Sequence, residues 1–304
     1  LYVLRTRRSQ LMSITKPAAV VTGASTGIGH ASTKVLIEKG WHVFAGVRKE
    51  ADADRLRQEF GADITPLPME VTDTPSMQAA GEKVRAALGG KTLRGLVCNA
   101  GIAVTGPLLH IPIEEVETQM NINVLGVIRT VQAFGPLLGA DQSLEGKPGR
   151  IVTMSSVAGK MGMPFVGPYA ASKHALEGLS KSLRKELALY GIGVHIIGPG
   201  AVATPIWDKA DDRSELEKYA HTDYRKSMER VFNWMLDRGP KGLPPEKIGA
   251  RVHHCLTADD PELRYAEVPQ RFTNWTLPRL LPEKLVDKQV VKRLALRPED
   301  LNRE

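Results

Sequence analysis

The chain has 304 residues, 41 lysines and arginines against 34 acids, 42% hydrophobic residues and two cysteines. That length buries a substantial core, and such ordinary globular usage excludes a fibrous or wholly disordered chain. Cys98 and Cys255 cannot build a disulfide framework or a four-cysteine zinc site, so a reducing, cytoplasmic setting is expected.

The formal charge of +7 is unevenly placed: Arg5, Arg7, Arg8 and Lys16 put +4 into the first sixteen residues, leaving +3 for the rest. No nucleic-acid surface is therefore expected. No apolar run approaches the roughly 20 residues needed to span a bilayer. Thr6-Arg7-Arg8 looks like a twin-arginine signal, but no apolar segment with a cleavage site follows it. Residues 1–16 are read as a loose tail, of which 1–11 stand outside the domain.

From Pro17 the chain alternates. Short β-rich runs end at Thr22, Val47, Leu67, Val97, Met154 and Ile197. Helical periodicity fills 27–39, 51–60, 75–88, 113–138 and 169–190 between them. This alternation predicts an α/β fold, a doubly wound parallel sheet of Rossmann type. One domain is expected over 17–267, with a helical, substrate-covering insertion at 205–240 and a C-terminal extension at 268–304. The extension carries Phe272, Trp275, Leu277, Leu280, Leu281, Val286, Val290 and Leu294 at helical spacing. It is read as packed on the domain or a partner, with a lid or a membrane-surface patch as the sharper alternative.

Between the first strand and first helix lies Gly23-Ala24-Ser25-Thr26-Gly27-Ile28-Gly29. Glycines let a backbone approach a phosphate closely, and a helix N-terminus offers it free N–H donors. Among six tyrosines, only Tyr169 has a lysine, Lys173, four residues on. Positions i and i+4 share a helix face, so both side chains can enter one site. A nearby ammonium would lower the phenol's pKa. The eight histidines show no ligand pattern and no metal site is expected.

Together these segments resemble the short-chain dehydrogenase/reductase family. The resemblance runs from about residue 17 to residue 205, and the motifs come in family order. They are Thr22-Gly-Ala-Ser-Thr-Gly-Ile-Gly29, Asn99-Ala100-Gly101, Asn123-Val-Leu-Gly126, Ser156 with Tyr169-Ala-Ala-Ser-Lys173, and Pro199-Gly200 with Val202 and Thr204. The resemblance implies a cofactor held by Gly23, Ser25, Thr26, Gly27, Ile28, Gly29, Asn99, Ala100, Gly101, Tyr169, Lys173, Pro199, Gly200, Val202 and Thr204. Glu70-Val71 resembles the pair that frames adenine, with glutamate in place of the usual aspartate. The implied catalytic set is Asn123, Ser156, Tyr169 and Lys173. Tyr169 would act as acid toward a ketone or base toward an alcohol. Lys173 would hold the nicotinamide ribose, Ser156 the substrate oxygen, and Asn123, at a helix kink, a proton-relaying water. Ser155 is a rival to Ser156, which stands at the family's usual separation from Tyr169.

At the second strand's end Val47 supplies no carboxylate for the 2′-hydroxyl of NAD, whereas Arg48 suits the 2′-phosphate of NADP. NADP is favoured over NAD. The segment 179–200 and Phe44-Ala-Gly-Val47 resemble the hydroxysteroid and retinol dehydrogenase branch. The expectation is an oxidoreductase interconverting a secondary alcohol and a ketone on a fairly apolar, steroid- or retinoid-like substrate. A 3-oxoacyl thioester reductase and a non-catalytic nucleotide-binding sensor are the alternatives. A homo-dimer or homo-tetramer is expected.

Overall fold

A computed structural model describes residues 14–205 and 213–301. Most of the basic tail, the twin-arginine segment and part of the insertion lie outside the described residues. Seven strands form one sheet: β1 (Ala18–Val21), β2 (His42–Val47), β3 (Ile64–Pro68), β4 (Gly95–Cys98), β5 (Arg150–Met154), β6 (Gly193–Pro199) and β7 (Arg264–Glu267). Their order is β3-β2-β1-β4-β5-β6-β7, with every pairing parallel. All residues of β1, β2 and β4 are buried. Helices cover both faces, so these strands read as continuous apolar runs rather than alternating ones. Pro66 and Pro68 are tolerated because β3 is an edge strand.

The helices are α1 (Gly27–Glu38), α2 (Glu50–Phe60), α3 (Thr74–Leu88), α4 (Ile113–Met120), α5 (Gly126–Phe134), α6 (Gly167–Leu187), α7 (Arg225–Arg238), α8 (Pro245–Thr257) and α9 (Glu283–Leu294), with shorter turns between. One face of the sheet packs Leu67, Leu96 and Ile151 against Met77, Val84, Phe134 and Leu176 of α3, α5 and α6. The other packs Val21, Val97 and Val152 against Leu36, Leu56, Ile248 and Val252 of α1, α2 and α8. A smaller cluster joins Phe165, Leu216, Tyr219, Met228, Val231 and Leu294, so the insertion and α9 pack on each other beside the sheet's C-terminal edge.

The chain order reverses between β1 and β4, which places a crevice beyond their carboxyl ends. Thr22 and Asn99 stand there. Thr22 Oγ1 accepts hydrogen bonds from the amides of Asn99 (2.9 Å) and Ala100 (3.0 Å) and ties the two strand ends together.

The helical stretch over 113–138 is broken where the resemblance implies a kink: a π-helical turn, Asn121–Leu125, separates α4 from α5. The strand β7 follows the insertion, where no strand is expected. In the extension, Trp275 and Leu294 are buried, while Phe272, Leu277, Leu280 and Leu281 are exposed.

Candidate active site

The glycine loop leaves β1 through Gly23 at φ +63° and Gly27 at φ +56°, backbone that disfavours any side chain. A Cβ at Gly29 would stand 2.0 Å from the Gly23 carbonyl oxygen, so the turn closes only around glycine. Asn99 Nδ2 donates to the carbonyls of Thr22 (3.0 Å) and Gly23 (3.2 Å). Its amide therefore braces the loop and is directed at backbone rather than open crevice. Arg55 of α2, unremarked in the sequence, donates to the Ser25 carbonyl at 2.6 Å and pairs with Asp52 and Glu59.

This end of the crevice fits a dinucleotide's phosphates. Thr26 sits at the N-cap of α1 with no side-chain cap bond, which leaves first-turn amides for an acceptor. A Cβ at Gly27 would stand 3.5 Å from Thr204 Cβ, so the loops after β1 and β6 face each other across a gap held open by glycine. Arg48 and Lys49 are exposed, with no ion-pair partner among the described residues. Glu70 turns its carboxylate back to accept from the Thr72 amide at 3.2 Å, and Val71 packs buried beside Gly126.

The other end gathers the residues that the resemblance implies as catalytic. Met154 ends β5, and Ser155 and Ser156 follow. Ser155 Oγ donates to Glu177 Oε1 at 2.9 Å and is committed there. Ser156 Oγ accepts from the Ala158 amide (3.1 Å) and donates to the Pro199 carbonyl (3.4 Å). The two rival serines thus differ in partner: Ser155 is held by a carboxylate and Ser156 by backbone groups. Tyr169 and Lys173 stand on one face of α6, with Lys173 Nζ 5.5 Å from the Tyr169 ring centre. Lys173 Nζ donates to the Met154 carbonyl at 2.9 Å. Burial lowers its pKa to about 8. Gly101 lies between Lys173 and Asn123: a Cβ there would stand 3.1 Å from Asn123 Oδ1 and 3.7 Å from Lys173 Nζ.

One electrostatic expectation is corrected. The phenol of Tyr169 is held above its ordinary pKa, because burial outweighs the opposing pull of the Ser156 hydroxyl. Lys173 does not reverse this: its ammonium lies over the ring and is itself desolvated.

Asn123 is buried in the π turn. Its Oδ1 accepts from the Ile102 amide, and its Nδ2 donates to the Ile102 carbonyl, each at 2.9 Å, and to Ser172 Oγ at 3.0 Å. The side chain is thus spent on holding the segment after β4 against α5 and α6.

Sequence reasoning missed Arg55, Glu177 and Arg264. Glu177 had a local signal: it extends the Tyr169–Lys173 face by one more i+4 step, a carboxylate on a buried face. Arg264 had none.

The family model for short chain dehydrogenases matches residues 17–215, so the chain belongs to that family and is an oxidoreductase. It is 36% identical over 276 residues to the NADPH-dependent 3-dehydrocapnine reductase of Ornithobacterium rhinotracheale, covering 91% of this chain and 96% of that one. It is 29% identical to mouse retinol dehydrogenase 5, over 94% of this chain and 91% of the relative. A crystal structure of a short-chain dehydrogenase from Streptomyces avermitilis superposes with a TM-score of 0.71 at 26% identity, covering 92% of this chain and 98% of that one. Family members use NAD or NADP. No helix among the described residues is long and apolar enough to cross a membrane.

Proposed function

We propose that the protein is an NADP(H)-dependent oxidoreductase that interconverts a ketone and a secondary alcohol on a fairly apolar substrate. The observation that carries this reading is the convergence of Ser156, Tyr169 and Lys173 at the carboxyl edge, with the Ser156 hydroxyl near enough to pull on the phenol's pKa and Lys173 Nζ 5.5 Å from its ring centre. The relative named as an NADPH-dependent reductase supports the cofactor, as does unpaired Arg48. The relative named as a retinol dehydrogenase supports the apolar substrate.

The nicotinamide, when bound, supplies or accepts the hydride at the substrate carbon. The chain supplies the rest. In reduction, Tyr169 Oη gives its proton to the carbonyl oxygen; a phenol held above its usual pKa keeps that proton available at neutral pH. Ser156 Oγ turns its one proton from the Pro199 carbonyl to the substrate oxygen and orients it. Lys173, anchored on the Met154 carbonyl, offers its remaining N–H donors to the ribose hydroxyls. Asn123 holds the crevice wall through Ile102.

A panel of ketones and alcohols, followed by nicotinamide absorbance with both cofactors, tests the reading. Tyr169→Phe should lower turnover about a hundred- to ten-thousandfold while cofactor binding stays measurable. Ordinary turnover in that variant would remove the general acid. No turnover by the native chain on the panel would remove the reading itself.

A further inference from the structure

Next to Ser156 lies a buried ionic cluster that the proposed chemistry does not use. Glu177, one turn beyond Lys173 on α6, has only 3% of its side chain exposed. A buried carboxylate needs several partners to offset its desolvation. Glu177 has three: Ser155 Oγ at 2.9 Å, Arg264 Nε at 2.9 and 3.0 Å to its two oxygens, and Lys160 Nζ at 3.3 Å. Arg264 does more than neutralise it. A terminal nitrogen of the same guanidinium donates to the backbone carbonyl of Ser156 at 3.4 Å.

Two glycines keep this space open. A Cβ at Gly198 would come within 2.5 Å of the Arg264 terminal nitrogen, and one at Gly159 within 2.6 Å of Ser155 Oγ. The space is thus shaped around these polar groups. The cluster also reaches the C-terminal extension. Trp275, 5% exposed, stacks on the Arg264 guanidinium at 4.6 Å and carries Arg279 at 4.5 Å. A guanidinium on an aromatic face is attracted by the ring's quadrupole and is fixed in plane.

We infer that Trp275, Arg264, Glu177 and Ser155 form a positioning relay that sets the backbone of Ser156 and makes turnover depend on the C-terminal extension. The inference rests on the reading of Ser156 above. None of the four touches substrate or cofactor; they act through the serine. Ser155 pins the residue before it, and Arg264 pins its carbonyl. A shift of about 1 Å in a reacting group costs on the order of a hundredfold in rate, so slackening any link should appear in kcat.

Three mild variants test the relay. Ser155→Ala removes one hydrogen bond, Arg264→Lys keeps the charge and loses the planar fork, and Trp275→Leu removes the stacked ring. Each should lower kcat about tenfold or more while cofactor affinity, read by nicotinamide fluorescence, stays within about twofold. Hydrogen exchange should accelerate in segment 155–159 in each variant. Free guanidinium at millimolar concentration should restore part of the turnover of Arg264→Ala, which a general loss of fold would not allow. Native kcat in both Ser155→Ala and Arg264→Lys, or unchanged exchange in 155–159, overturns the relay. If the native chain reduces nothing on the panel, the proposed function fails, and the exchange measurement still decides whether these residues hold the segment.

Discussion

Lys173 and Tyr169 are displaced in opposite directions by the same cause. Burial disfavours the ammonium and the phenolate alike, so the lysine falls to about 8 from 10.5 and the phenol rises. Between about 8 and 10.5 the folded chain releases a proton from Lys173 that the unfolded chain still holds. The unfolded state then binds more protons, and this group's contribution to stability rises with pH through that window. Activity should move the other way. kcat/KM reports the free enzyme, and neutral Lys173 is the poorer donor to the ribose hydroxyls. The expected result is a kcat/KM that falls as pH rises through about 8, while the stability gained by Lys173→Met over the native chain in urea unfolding shrinks over the same window. A flat kcat/KM across that value would show that the lysine's charge is not needed. The residues of this site were legible in very unequal measure. Tyr169 and Lys173 announce themselves by an i+4 spacing within one helix. Glu177 and Arg264 lie 87 positions apart and meet only because β7 returns beside β6.

At the scale of elements, legibility followed the strength of the local pattern. The runs of β1 and β4 contain no polar side chain but a cysteine thiol, and α3 carries its own signals: Asp73 caps the Ser76 amide and Gly89 ends the helix in the left-handed region. β7 is four residues long, with Arg264 and Glu267 at its ends, so no apolar period marks it; pairing with β6 creates it. The kink at Asn123 came from the resemblance alone: its side chain bonds the Ile102 backbone 21 residues away, which no local pattern announces. The element that decides cofactor choice is the end of β2. Val47 closes the strand and Arg48 emerges exposed, while Arg55, the nearby alternative cation on α2, is bound to the Ser25 carbonyl and to its own helix's acids. A charge-assisted bond to a 2′-phosphate contributes about 1.5–3 kcal/mol, roughly ten- to a hundredfold in affinity. Arg48→Ala should weaken NADPH binding by about that factor and leave NADH binding nearly unchanged. Equal weakening of both cofactors would reduce Arg48 to an adenine-stacking residue.

The whole molecule divides into a sheet with two large apolar faces and a smaller body beside its carboxyl edge. The large cores enclose the glycine loop and α6, while Leu294 and Trp275 of the extension enter only the smaller clusters. Its polar contacts point the same way: Ser227 Oγ donates to the Ala295 carbonyl at 2.8 Å, and Arg230 to the Arg293 carbonyl at 3.2 Å, both from α7. The extension therefore holds α7, and α7 belongs to the insertion that leans on the site. Tyr219 lies against Gly106 beyond β4, and Lys218 pairs with Glu115 of α4. A chain ended after Pro269 keeps all seven strands and Val268, which packs on Gly200. Such a chain should retain cofactor affinity within about threefold, because proteins open in units and the phosphate end lies in the more stable one. Its turnover should fall at least about tenfold, or about 1.4 kcal/mol, since both the cover over α7 and the Trp275 stack on Arg264 are gone. Hydrogen exchange should accelerate in 214–238 and 155–159 and stay slow in β1 and β4. If cofactor binding disappears together with turnover, the two bodies form one cooperative unit and this division is wrong.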